Sequence, residues 1–293
     1  MFEKCKIYFK EYGSLIFTFF LFIVAICIFY QDFQDSHRGL TFAMLDIGQG
    51  DAFFIESPTG TQILVDGGPP RKILSALARV MSPFDKHLDA IIITNPDQDH
   101  IGGFLDVLKM YKVDRVFESG TYNDSKTYQN LENEIKNKNI PDILAKRGMR
   151  LEIGGGAVID ILFPDQDVST WASNDGSVVA KLTYGASSVM LTGDATMLTE
   201  KIILRENSTD ALKSTVLKVG HHGSRTSTSQ EFVKAVTPSY ALISNGKDNK
   251  YGHPHQDTLE TLASSGVKIL RTDLLGNIIM KSDGQNTGFS FRR

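Results

Sequence analysis

Residues 90–103 read AIIITNPDQDHIGG: an apolar run breaks directly into a loop carrying Asp97, Asp99 and His100, and two glycines follow. This junction narrows the fold more than any other stretch of the chain. The C-terminal end of a buried strand holds side chains firmly, as a metal site requires. Three metal-binding groups within four positions can converge from one loop. A loop of Asx turns ending in a helix-capping aspartate uses the same residue types, so the stretch alone leaves both readings open.

Short strand-like runs surround it. Leu40–Asp46, Asp51–Ile55 and Gln62–Asp66 are separated by Gly- and Pro-containing turns, as in a meander. Arg71–Met81 has helical spacing, with Ile73, Leu74, Leu77 and Val80 on one face. Leu88–Thr94 reads as a buried strand and Gly103–Tyr111 as a helix. Val158–Phe163, Val178–Tyr184, Ser188–Thr192, Val216–Val219 and Tyr240–Ser244 are further strand candidates, with helices expected over Met197–Glu206, Ser229–Val236 and Pro254–Ser265. Residues 122–150 are polar and charged and read as a helical excursion. Strands and helices mixed in this way pack as sheet on sheet with helices outside.

The N-terminus is different. Residues 12–31 contain no charged side chain, and Leu15–Tyr30 is almost wholly apolar. About 20 helical residues span a bilayer core. The flank after Tyr30 offers no small-x-small cleavage site. Lys4, Lys6 and Lys10 precede the run, while Asp32 and Asp35 follow it. The positive-inside tendency then puts residues 1–11 in the cytoplasm. The expectation is a transmembrane anchor at 12–31, a tether at 32–37 and one extracytoplasmic domain at 38–293. Cys5 and Cys27 are the chain's two cysteines, so that domain cannot hold a disulfide. Its charge is acidic up to residue 200 and basic beyond it. No global basic footprint for nucleic acid exists, though the C-terminal third can present a basic face.

Other strand ends repeat the chemistry of the first loop. Gly193-Asp194 follows the strand candidate Ser188–Thr192, and Gly220-His221-His222-Gly223-Ser224 follows Val216–Val219. Tyr251-Gly252-His253-Pro254-His255 follows a third strand and its loop. Five of the chain's seven histidines lie in these places and in the acidic loop. Singly, each has a plain alternative: Asp194 as an N-cap, Pro254 as a first-turn proline.

Together these segments resemble the metallo-β-lactamase superfamily, and more narrowly its competence-type (ComEC-like) branch. The matching pieces are Leu45–Ile55 (LDIGQGDAFFI), Ile63–Gly68 (ILVDGG), Pro96–Gly103 (PDQDHIGG), Leu191–Ala195 (LTGDA), Leu217–Ser224 (LKVGHHGS) and Tyr251–His255 (YGHPH). They run in order over almost the whole body. The resemblance implies a four-layer αββα sandwich of the α/β class, with metals at one edge of the sheets. It assigns Asn95 and Asp97 to a first metal position, Asp99 and His100 to a second, Asp194 to a bridging carboxylate, and His221 or His222 to the last histidine. The superfamily's remaining histidine has no clear counterpart, although Ser173–Ser177 resembles the Asn/Ser-rich stretch that the branch carries there.

The superfamily's acidic loop reads His-x-His-x-Asp-His, and this chain departs from it at Asn95. An amide is a weaker ligand than an imidazole, so one firm and one weak divalent site are expected, filled by Zn²⁺ or Mn²⁺. The implied catalytic residues are Asp99, Asp194 and His255, with His253 as a second candidate proton donor. Lys218, Ser224, Arg225 and His253 are candidates for holding substrate phosphate, with Thr226 beside them. The leading expectation is a membrane-anchored, outward-facing phosphodiesterase or nuclease acting on DNA or another phosphodiester, with a separate competence channel as a possible partner. Hydrolysis of small esters, lactones or β-lactams is the alternative, and a non-catalytic binding module with a degenerate metal site is the third.

Overall fold

A computed structural model describes residues 12–26 and 39–292. The chain divides into two units, the first ending at Arg38 and the second starting at Gly39. In the first, residues 12–26 are helical. No helix among the described residues is long and apolar enough to cross a membrane. Residues 27–31 of the expected anchor, and the tether at 32–37, lie outside the described residues.

The second unit is built on two large mixed sheets. In spatial order, the first contains Thr287–Arg292, Asn277–Ser282, Leu40–Met44, Phe53–Glu56, Gln62–Val65, Ala90–Ile93, Val116–Glu118 and Asp142–Leu144. The second contains Lys268–Arg271, Tyr240–Ile243, Val216–Lys218, Ser187–Leu191, Val179–Tyr184, Ala157–Phe163 and Arg150–Gly154. In each sheet one half is a parallel run. Gln62–Val65, Ala90–Ile93 and Val116–Glu118 pair in parallel in the first. Ser187–Leu191, Val216–Lys218, Tyr240–Ile243 and Lys268–Arg271 do so in the second.

Side-chain alternation along the strands creates three apolar layers. Between the sheets, Phe42, Phe53, Val65 and Ile92 meet Ile159, Ile161, Leu182, Val189, Val216 and Leu242. Phe42 and Phe53 stack there with ring centroids 5.7 Å apart. On the outer face of the first sheet, Phe54, Leu64, Ile91 and Ile93 pack under Phe104, Leu108, Leu131 and Ile135 of its helices. On the outer face of the second, Met190, Leu217 and Ile243 pack under Ile203, Phe232 and Leu262. Ala90–Ile93 is buried at every position because it is a parallel strand covered on both faces. This is the expected αββα sandwich.

Two expectations change. Residues 122–150 hold one helix, Lys126–Asn137, whose Ser125 side chain accepts from the backbone of Tyr128, but also an edge strand, Asp142–Leu144. The sheet also gains two C-terminal strands that the local pattern had not marked. Asn277–Ser282 pairs antiparallel with Leu40–Met44, and Thr287–Arg292 pairs beside it.

Candidate metal centre

The parallel strands of both sheets end on one side of the sandwich, where their first loop residues meet. Asp66 follows Gln62–Val65, Thr94 and Asn95 follow Ala90–Ile93, and Asp194 follows Ser187–Leu191 after Thr192 and Gly193. His221 and His222 follow Val216–Lys218, and Ser244 follows Tyr240–Ile243. Crevices at the carboxyl ends of parallel strands are where ligands bind in α/β folds.

Asp99 and His100 lie in the short helix Gln98–Ile101, which opens directly after the Asn95–Asp97 turn. His100 is fully buried. Its Nδ1–H donates to Asp66 Oδ2 at 2.8 Å. Asp66 also accepts from the Thr94 backbone N–H (2.8 Å) and hydroxyl (2.6 Å). The opposite nitrogen, Nε2, is buried without a hydrogen bond and sits 3.1 Å from Asp194 Oδ2.

His222 is built the same way. It lies in a tight Gly220–Gly223 turn in which His221 and His222 adopt left-handed backbone angles, with φ of 45° and 53°. Such strain in consecutive non-glycine residues persists where the surroundings over-determine it, and functional sites are where it clusters. His222 Nδ1 lies 3.0 Å from the carbonyl of Ser244, which can only accept, so that nitrogen carries the proton. Asp51 Oδ1 lies 3.3 Å from the same atom. Nε2 is again buried and without a hydrogen bond, 3.4 Å from both Asp99 Oδ2 and Asp194 Oδ2.

Two imidazoles thus turn Nε2 towards two carboxylates, while their Nδ1 protons are held by acceptors behind them. That is how a protein orients histidine ligands to a cation. Asp99, His100 and His222 have donor atoms close enough to share one ion. Two overlapping sets run through Asp51 or Asp66. Asp66 and Asp51 meet the two rings at Nδ1, and Asp51 is already ion-paired to Lys218, so we assign the ion to the Nε2 side.

The charges agree with this assignment. Burial raises the Asp99 carboxyl, but the close approach of His222 and the charges of His100 and His222, protonated in the metal-free chain, outweigh it and hold it at about 2. Burial likewise opposes ionisation of Asp194, yet His222, His100 and Lys218 hold it well below the usual carboxylate range. Both carboxylates are anionic and available to a cation at neutral pH.

The remaining candidates fall in several places. Asn95, expected as a weak ligand, is fully buried and spends both polar atoms elsewhere. Its amide donates to Ser177 Oγ at 3.3 Å, and its carbonyl accepts the backbone N–H of Asp97 at 2.9 Å. Asp97 accepts from the Asn123 side chain at 3.2 Å, and the charges of His100, Asp99 and Asp194 act on it. His221 is a quarter exposed, with Nε2 3.8 Å from Asp194 Oδ2, and flanks the centre rather than completing it.

Lys218, expected among the phosphate-binding groups, is completely buried against Asp51 and Asp194 and cannot reach a substrate. Ser224 is buried too, its hydroxyl 3.0 Å from that of Thr226. Arg225 remains exposed. His253 and His255 lie at the mouth: the His253 ring is 5.5 Å from His221 and 4.9 Å from His255. His255 Nδ1 accepts the backbone N–H of Arg225 at 3.1 Å. Asp51, Asp66, Thr94 and Ser244 complete the centre without having been singled out by sequence. The signal for the two aspartates was a carboxylate bordering an apolar strand, in the LDIGQGDAFFI and ILVDGG segments.

Residues 45–247 match the model of the Metallo-beta-lactamase superfamily. Among curated proteins, ComE operon protein 3 of Bacillus subtilis is 36% identical over 253 residues, covering 80% of this chain and 32% of that protein. Recombination protein 2 of Haemophilus influenzae is 32% identical over 238 residues, covering 80% and 28%. The chain therefore spans about a third of the length of these relatives. Among solved structures, the metallo-beta-lactamase fold protein YhfI from Bacillus subtilis aligns with a TM-score of 0.56 at 14% identity, over 83% of this chain and 100% of that one. Igni18, a metallo hydrolase from Ignicoccus hospitalis, aligns at 0.53 and 14% identity, over 86% and 100%.

Proposed function

The chain belongs to the metallo-beta-lactamase superfamily, and from that premise we propose that it is a divalent-metal-dependent hydrolase of phosphodiesters, with DNA as the leading substrate. The observation that carries the reading is the pair of buried Nε2 atoms of His100 and His222, which converge on Asp99 and Asp194 without a well-formed hydrogen bond. A purely structural histidine cluster satisfies its buried nitrogens with hydrogen bonds of good geometry. The names of two relatives support DNA as the substrate to test first: one is named for recombination, and Competence protein ComA of Neisseria gonorrhoeae, 27% identical over 233 residues, for competence.

When bound, the ion supplies Lewis-acid polarisation and lowers the pKa of water towards neutrality. Asp99, His100, Asp194 and His222 would hold it. Asp99, 36% exposed, is the carboxylate that also reaches the solvent side, where it can orient an attacking water. His255 can steady a leaving group but not protonate it in this geometry: its Nδ1 accepts from Arg225, which leaves Nε2–H to donate a hydrogen bond to a phosphate or leaving-group oxygen. His253 serves differently. Burial and the charges of His222 and His221 push it down to about 4, so it is neutral at physiological pH and orients substrate through hydrogen bonding. Exposed Arg225 contributes a cation for a phosphate, and Lys250 lies 4.9 Å from the Tyr251 ring beside this mouth.

The hydrogen-bonded Asn95 favours a second reading, a binding module that has lost its chemistry. Intact orientation of His100 and His222 weighs against it. For residues 12–31 we keep the proposal of a membrane anchor with the hydrolase domain outside, on the strength of the uncharged run and the preceding lysines. A separate channel protein is then the partner to seek. Turnover of linear single- and double-stranded DNA, bis-p-nitrophenyl phosphate and nitrocefin, with Zn²⁺ or Mn²⁺, tests the activity. Phosphodiester cleavage lost in Asp99→Ala is the expected result. Turnover of nitrocefin alone would move the chain to the ester and β-lactam class, and no turnover despite bound metal would favour the binding module.

A further inference from the structure

Lys218 ends the strand Val216–Lys218, and its side chain runs inward rather than out to solvent. Its ammonium is ion-paired with Asp51, donates to the Gly193 carbonyl at 2.6 Å and lies 3.5 Å from Asp194 Oδ1. Lys218 and Asp51 have no exposed side-chain surface, and Asp194 has 4%. A buried ammonium held by three oxygens from two distant segments cannot swing away as a surface lysine does.

The two oxygens of Asp194 are therefore divided. Oδ2 faces the bare nitrogens of His100 and His222, and Oδ1 faces Lys218. A second ion at this carboxylate would have to displace a fixed ammonium or crowd beside it. Its other ligands would also have to come from the Asn95 side, where both polar atoms of the amide are hydrogen-bonded. We propose that Lys218 is a positioning residue whose ammonium stands in place of a second cation, and that it limits this centre to one divalent ion. The same cation holds Asp51 against His222 Nδ1, so one side chain ties together ligands that follow two neighbouring strands. Asn95 alone then does not set the stoichiometry. Restoring an imidazole at that position leaves the charge of Lys218 where it was.

The inference rests on the metal reading above, and metal counting separates the two. The full-length chain, equilibrated with Zn²⁺ or Mn²⁺ and freed of excess, is weighed by native mass spectrometry and its metal measured by elemental analysis. Wild type, Asn95→His and Lys218→Arg are expected to hold one ion per chain, and Asn95→His/Lys218→Gln two. Lys218→Gln leaves Asp51 unpaired and is at risk of not folding. Asp51→Asn/Lys218→Gln removes both charges together and provides a second background for Asn95→His, again with two ions expected. Two ions in wild type or in Asn95→His overturn the role given to Lys218, as does one ion in either folded combination. Should neither combination fold, the counts for wild type and Asn95→His decide. A chain that binds no ion sinks the metal reading itself.

Discussion

His100 Nδ1 lies 2.8 Å from Asp66 Oδ2, with both side chains fully buried. Asp66 also takes two hydrogen bonds from Thr94, so it is an acceptor for three donors at the end of its strand. Asp66→Asn would turn one acceptor into a donor facing donors. Removing such a partner of a ligating histidine typically costs 10–100-fold in metal affinity. Chelator competition on Asp66→Asn should show a loss of about that size, with Asp99 and Asp194 untouched. Wild-type affinity would mean that the ring is oriented by something else.

Gly50 tests the backbone on the other side of the loop. It has a φ of +123°, and a Cβ there would lie 2.2 Å from the Asp99 carbonyl oxygen. That carbonyl also accepts the backbone N–H of Asp51 at 3.2 Å. Gly50→Ala must therefore displace the helix turn that carries Asp99 and His100. We expect a loss of about 2 kcal/mol or more in stability, with weakened metal binding. Gly48→Ala is the control. Its φ is +80°, but a Cβ there meets nothing within 4 Å, so it should cost only about 1 kcal/mol and leave metal affinity alone. Equal effects of the two on metal affinity would remove the argument from close approach.

How far the sequence carries differs from residue to residue. The acidic loop, Asp194 and the histidine pair were legible because each sits at the end of an apolar run, where strand geometry fixes what a loop residue can reach. Asp51 and Asp66 were not, since an aspartate beside a turn has a ready local explanation and only the tertiary fold shows which histidine it faces. Lys218 reads from sequence as a cation for substrate phosphate because a lysine's ammonium is ordinarily free to reach solvent. Its burial depends on Asp51 and Asp194, which are far from it in sequence. The strand Asn277–Ser282 was missed for a related reason: its register with Leu40–Met44 is set across most of the chain's length.

A second carboxylate cluster, away from the centre, carries a prediction about pH. Glu118 is pushed up to about 8 by burial first, then by Asp142 and Glu132. Its folded pKa is raised above the ordinary 4.5, so the folded state binds the extra proton between those values. The stability it contributes is complete below about pH 4.5 and is lost as pH rises towards 8. Glu118→Gln keeps the shape without the charge and should stabilise the protein at pH 8 by at least about 1 kcal/mol. At pH 5 the two proteins should be nearly equal. Urea unfolding at both pH values measures this, and a gain of the same size at pH 5 would argue for a packing effect instead.

The metal centre gives the opposite kind of pH test, because here an ion competes with protons. Burial would lower the His222 pKa, but the charges of Asp194 and Asp51 outweigh it and raise the ring to about 10 in the metal-free chain. His100 moves the same way under Asp194 and Asp66. Both rings titrate above the ordinary 6.5 of a histidine. The protonated rings therefore stabilise the metal-free fold fully below about pH 6.5, and that contribution fades as pH rises towards 10. A divalent ion needs the Nε2 lone pairs that those protons occupy, so it binds more tightly as pH rises. Thermal unfolding in a chelator should then show Tm falling from pH 6.5 to pH 9. Added Zn²⁺ should raise Tm at both, and by more at pH 9. A zinc-induced shift that is independent of pH would mean that no proton leaves when the ion binds, and that His100 and His222 are not its ligands.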